Sequence, residues 1–104
     1  MVQGATRQDT FTVDMDLTGA QAVYITYAQK RSGAYIEKSM SGISVSVNEG
    51  KSTLVCQLSQ ADTLSFSEKE PVEIQVTVKT ASGQRMTSNI VTDIVERALK
   101  TEEI

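Results

Sequence analysis

The stretch ISVSVNEGKSTLVCQL, residues 43–58, decides the fold. Ile43, Val45 and Val47 alternate with Ser44, Ser46 and Asn48. After the turn Asn48-Glu49-Gly50-Lys51, Leu54, Cys56 and Leu58 alternate with Thr53, Val55 and Gln57. Alternation of period two sets one face against a core and the other in water. Branched side chains suit a pleated surface, and Gly50 supplies the positive φ that a tight hairpin turn demands. The segment predicts two antiparallel strands joined by a short turn.

Outward from this hairpin the pattern repeats. Phe11, Val13, Met15 and Leu17 alternate with polar residues, as do Val72, Ile74, Val76 and Val78. Val23, Ile25 and Tyr27 alternate with Tyr24, Thr26 and Ala28. A short run spans Tyr35 to Met40, and a last one carries Met86, Ser88, Ile90 and Thr92. Turn signals separate the runs at Thr18-Gly19, Arg31-Ser32-Gly33, Ser41-Gly42 and Ala81-Ser82-Gly83-Gln84. Regular spacing of strands and turns predicts an all-β protein, an antiparallel β-sandwich of about seven strands with immunoglobulin-like architecture.

Two segments depart from period two. Residues 59–65 open on Ser59, a good N-cap residue, with Asp62 three residues on. One short helical turn is expected there, crossing between the sheets, with Leu58, Leu64 and Phe66 plugging the core. Near the C-terminus, Asp93 and Glu96 have capping-box spacing, and Ile94, Val95, Ala98 and Leu99 form an apolar stripe. A short helix from about Ile94 to Lys100 is expected. Residues 1–9 read as a flexible arm and 10–104 as one β-sandwich domain.

Composition excludes more than it selects. The 104 residues hold no His, no Trp and one Cys, with a net charge of −3. Without His no Ser-His-Asp triad, Cys-His dyad or imidazole metal ligand forms within the chain. One Cys allows no intrachain disulfide. A mildly acidic chain is a poor match for a phosphate backbone, so no nucleic acid is expected as a partner. Apolar runs of a few residues span no membrane, and the first nine residues carry no apolar signal segment.

Each cluster that resembles chemistry has a plainer reading. Asp14, Asp16, Thr18 and Gly19 have the spacing of half a calcium loop, but Ile25 stands where a bidentate Glu is required. Asp16 and Thr18 then shape a strand-ending turn. Cys56, between Leu54 and Leu58, reads as a core residue. Glu68, Glu70 and Glu73, with Glu96, Glu102 and Glu103, read as a solvated acidic face rather than a catalytic carboxylate pair. Lys30, Arg31, Lys79 and Arg85 are scattered near hairpin tips. Tyr24, Tyr27 and Tyr35 are the only tyrosines; Tyr27 falls on the core face and Tyr24 on the other. No catalytic, metal or cofactor residues are assigned, and no enzyme activity is expected. Tyr24, Ala28 and Val55 are apolar side chains on faces the alternation calls exposed, and Val91 and Val95 join them. These five are the candidate interface residues, because apolar groups left on an outer face are covered or meet another chain.

The order of segments then resembles a known family. It runs from Thr10-Phe11-Thr12-Val13 through Asp16-Leu17-Thr18-Gly19 to Val23-Tyr24-Ile25-Thr26-Tyr27-Ala28-Gln29. The segment from Leu58 to Val76 is its most specific part, followed by Ser82-Gly83 and Thr87-Ser88-Asn89-Ile90. Over roughly Thr10 to Glu96 the chain resembles the small β-sandwich domain at the N-terminus of phage baseplate upper proteins, found in phages and prophages of Gram-positive bacteria. The resemblance implies a structural protein of a tail or baseplate, located in the virion and made in the host cytoplasm. It also implies self-association or contact with other tail or baseplate proteins, with no membrane partner. None of the shared motifs is catalytic, and no functional residue carries over. The chain lacks the helical linker and receptor-binding head of that family, which favours a free-standing component over host attachment. A small module binding cell-wall carbohydrate is the alternative, with Tyr24 as its test residue.

Overall fold

The computed structural model describes all 104 residues. The strands are β1 (Arg7–Val13), β2 (Ala22–Ala28), β3 (Tyr35–Lys38), β4 (Ile43–Asn48), β5 (Lys51–Leu58), β6 (Pro71–Lys79), β7 (Arg85–Thr87) and β8 (Val91–Ile94). A 3-10 turn, Met40–Gly42, precedes β4, and one helix, α1 (Gln60–Leu64), follows β5. One sheet has the order β1-β5-β4 and the other β3-β2-β6-β7, with β8 also paired to β6. All strand pairings are antiparallel. The predicted two-layer sandwich is the architecture found, with β2 lying between β3 and β6. Successive segments change sheets three times, between β1 and β2, between β3 and β4, and between β5 and β6.

The alternation read from sequence builds the core. Val23, Ile25 and Tyr27 of β2 and Val72, Ile74, Val76 and Val78 of β6 meet Leu54, Cys56 and Leu58 of β5. Cys56 is a buried free thiol. Helix α1 has the expected cap: Ser59 accepts from the Asp62 amide and the Asp62 carboxylate accepts from the Ser59 amide. Phe66 is buried beneath it, whereas Leu64 is only partly covered.

Every buried side-chain nitrogen and oxygen has a hydrogen-bond partner, as the cost of leaving one unpaired requires. Gln29 is the clearest case. Its amide nitrogen donates to the carbonyls of Ser67 (2.9 Å) and Glu70 (3.1 Å), and its oxygen accepts from the Ser67 amide and the Ser32 hydroxyl, both at 2.8 Å. The end of β2 is thereby fixed to the loop entering β6.

Three expectations are corrected. The helix expected over Ile94–Lys100 is absent: Val91–Ile94 is strand and the residues beyond form no helix. β7 covers only Thr77–Lys79 of β6, so its first half has an open edge that β8 pairs from Pro71 to Ile74. Isolated helices of one or two turns are marginal, and this pairing outweighs the apolar stripe. Residues 1–9 are not a loose arm. β1 begins at Arg7, Val2 bridges Glu96, and the Met1 amino group donates to Asp93 at 3.1 Å. Finally, Val45 and Val47 of β4 have the inward parity of Ile43 but stay 37% and 38% exposed. β4 is an edge strand, and the four-residue β3 facing it across the sandwich is too short to cover them.

Candidate functional site

The last edge strand carries a register change that shapes the surface. β7 pairs Met86 with Val78 and Thr87 with Thr77, whereas β8 pairs Val91 with Ile74 and Thr92 with Glu73. Three residues, Ser88 to Ile90, therefore stand opposite two, Gln75 and Val76. This is a β-bulge, and one extra residue reverses which side chains face inward. The Ser88 hydroxyl holds it, accepting from the Val76 amide at 2.9 Å while the Ser88 amide donates to the Val76 carbonyl at 2.9 Å. Before the bulge Met86 faces the partner sheet; after it Val91, Asp93 and Val95 do.

The bulged strand and β1 are the edges on the same side of the sandwich, and a groove of about 530 Å³ runs between them. Phe11, Val13 and Met15 line one wall, Met86 and Val91 the other, with Val76 and Val78 of β6 beneath. Met86 and Val91 are 45% and 56% exposed. The opposite side of the sandwich is crossed by the 3-10 turn between β3 and β4. On the groove side, residues 1–6 pass from the β8 edge to β1 at one end, and the β1–β2 connection, which contributes Met15 to the lining, passes at the other.

A chain of polar side chains closes one end. By the parity of Phe11, Arg7 and Asp9 also face inward. Tyr27 donates to Asp9 Oδ2 at 2.6 Å and lies 3.1 Å from Cys56 Sγ. Arg7 Nε donates to Asp9 Oδ1 at 2.6 Å, and its guanidinium also bonds Asp93, which receives the Met1 amino group. The network joins the two sheets, since β1 and β5 lie in one and β2 and β8 in the other. Burial, then the bonds to Asp9 and Cys56, push the Tyr27 hydroxyl well above its ordinary range. Burial likewise raises the Cys56 thiol. Burial would raise Asp93 too, but bonds from Arg7 and the N-terminal amine outweigh it and hold the carboxylate below the usual value. Burial also acts against the charge of Arg7, and its two carboxylate partners reverse that effect. The result is a fixed, charge-paired clasp.

The five candidate interface residues do not form one patch. Tyr24 and Ala28 lie on the outer face of β2, and Val55 on the outer face of β5, in the other sheet. Val91 lines the groove. Val95 is a correction: it is 1% exposed, because the bulge turns it into the core, where its carbonyl accepts from the Lys69 amide at 2.8 Å. The sequence singles out Asp93 only as a helix cap, and Arg7 and Asp9 not at all. For Arg7 and Asp9 the signal was present, since both continue the Phe11–Val13 parity upstream.

Asp16 accepts from the Thr18 amide at 2.8 Å and shapes the turn after β1. Hydrogen bonding from the Thr18 side chain, and then from its amide, lowers the Asp16 pKa. Glu70 accepts from the amides of Arg31 (2.6 Å) and Ser32 (3.2 Å), and Glu73 pairs with Lys30 at 3.6 Å. No group of three or more His, Cys, Asp or Glu side chains is arranged to hold a metal ion. Tyr24 and Tyr35 share an outer groove of about 490 Å³ with Glu37, Gln75, Thr77 and Arg85. No helix is long and apolar enough to cross a membrane.

Fold and surface together define an all-β sandwich with an apolar-lined groove between its β1 and β8 edges. No family model, curated protein or solved structure matches the chain.

Proposed function

We propose that the protein is a non-enzymatic assembly component of a phage or prophage particle, working in the tail or baseplate through protein–protein contacts. Its place in the virion follows from the resemblance of Thr10–Glu96 to the N-terminal domains of baseplate upper proteins. The observation that carries the contact reading is the groove between β1 and β8. Its walls are lined by Phe11, Val13, Met15, Met86 and Val91. Met86 and Val91 are exposed beside the half-buried Phe11, Val13 and Met15, and apolar side chains gathered on one rim mark a surface that another chain covers. The occupant is a tail or baseplate protein that lays an apolar segment along this rim.

The test is capture of tail and baseplate proteins from a lysate of the phage or induced prophage that encodes the chain, with partners identified by mass spectrometry. Capture that is lost in Val91→Arg, whose side chain is already exposed, supports the reading. Absence of any tail or baseplate protein from the wild-type capture sinks it.

A second reading is supported by the pair Tyr24 and Tyr35, 37% and 61% exposed on one outer groove. Exposed rings beside amide and hydroxyl groups suit stacking on a sugar. A glycan array separates the readings: binding to cell-wall glycans that Tyr24→Ala abolishes favours the carbohydrate module.

A further inference from the structure

The sandwich has four free strand edges, and three are protected. β1 points Arg7 and Asp9 inward, β3 is four residues long and carries Glu37 and Lys38, and the β7–β8 edge is broken by the Ser88–Ile90 bulge. Inward charges, short length and bulges are the devices by which edge strands avoid pairing with other chains. β4, Ile43–Asn48, has none of them: six residues without charge, proline or bulge. We infer that the β4 edge is a self-pairing surface, at which a second copy of this chain adds antiparallel to form a continuous six-stranded sheet.

The register follows from the turn. Glu49 and Gly50 both have positive φ, 53° and 77°, so the Asn48–Lys51 connection is a two-residue turn of type I′. Such a turn makes Asn48 and Lys51 a hydrogen-bonded pair, and the antiparallel ladder then alternates. Ser46 and Ser44 spend their backbone groups on Thr53 and Val55. Val45 and Val47 direct theirs to the open edge. The Ile43 amide, next in that series, is already used by the Met40 carbonyl. One two-fold register uses everything left over: Val45 opposite Val47 of the second copy, Val47 opposite its Val45, and Ser46 opposite Ser46 on the axis. Four backbone hydrogen bonds form. The four valine side chains, each more than a third exposed in the monomer, fall together on one face. No like charges meet. The assembly closes at two copies because the outer edges of the joined sheet are then the two β1 strands with their inward charges.

This extends the assembly reading by naming a partner, and it uses a different side of the molecule from the groove. A single six-residue seam is small beside the roughly 1,200 Å² of a standard interface, so the dimer should dissociate on dilution. Light scattering and sedimentation across a wide concentration range should show a reversible monomer–dimer equilibrium. Val47→Lys should move its midpoint to about tenfold higher concentration or more. A Cys in place of Ser46 should form an intermolecular disulfide under mild oxidation, since non-hydrogen-bonded partners lie about 4.5 Å apart at Cα. Ser44→Cys should not, because in this register the two copies of that position lie about 13 Å apart along the strands. A monomer at every concentration, or equal cross-linking of the two variants, overturns the inference. A monomer that still captures tail proteins through the groove overturns it and leaves the assembly reading standing. A dimer without capture does the reverse.

Discussion

The Tyr27 hydroxyl, rooted in β2, donates to Asp9 Oδ2 of β1 at 2.6 Å. It is a bond between the two sheets, made inside the sandwich rather than at its rim, and Arg7 and Cys56 complete its surroundings. The bond sets the spacing of β1 from the second sheet at one end of the groove.

Tyr27→Phe removes that bond and leaves a nearly buried carboxylate with one donor fewer. The expected loss is about 2 kcal/mol, the worth of a hydrogen bond to a charged acceptor, measured by urea unfolding. A pH signature accompanies it. The folded state raises the Tyr27 pKa above the ordinary value of 10.0. Its stabilisation is therefore full below that value and lost as pH rises further. The wild type should lose stability above about pH 10 more steeply than the Phe variant. Equal alkaline slopes contradict the network.

The carboxylates of Asp93 and Asp62 carry the acid side. For both, burial acts to raise the pKa and is outweighed, by Arg7 and the N-terminal amine at Asp93 and by the Ser59 cap and Lys38 at Asp62. Folded values below the ordinary 3.8 mean stability present above that pH and lost as pH falls through the folded values. Asp93→Asn and Asp62→Asn should each flatten the fall in Tm between neutral pH and about pH 3. Each should lower stability at pH 7 by about 1 kcal/mol, since both sites are partly exposed.

Ser88 supports the bulge by standing in for a backbone acceptor. Ser88→Ala leaves the Val76 amide without its 2.9 Å partner. The expected cost is about 1–2 kcal/mol. Faster hydrogen exchange at the Val76 amide, with little change in the β4–β5 hairpin, is the local readout. Unchanged exchange there counts against the bulge geometry.

Glu49 sits at φ 53°, a left-handed conformation that costs an ordinary side chain about 1 kcal/mol. Glu49→Asn should stabilise the protein by about half of that, because Asn tolerates the region. Gly50→Ala, at φ 77°, should destabilise it by about 1 kcal/mol. Chemical denaturation of the two variants should give shifts of opposite sign.

Much of this molecule was legible in its alternation. Thirteen of the core positions, from Leu17 to Val78, are apolar residues on the expected faces or in the expected plug. The Ser59–Asp62 cap was legible because the cap is local in sequence. The clasp was only half legible. Arg7 and Asp9 continue the Phe11–Val13 parity upstream, in a segment that reads as a loose arm, and nothing local says that Tyr27 and Asp93 await them from the other sheet.

The sequence by itself determined the period, the turns and the identity of the buried face, because these depend on neighbours a few residues apart. Only the tertiary structure decided which strands are edges, how far each is covered, and where the last strand slips. The bulge at Ser88–Ile90 reverses Val91 and Val95, and the vacant half of β6 extends β8 through Ile94, where a helix is expected to begin, with no helix beyond it. Val45 and Val47 have the pattern of core residues and lie open at an edge. Such outcomes depend on what the opposite sheet leaves unpaired, which periodicity along one strand does not encode.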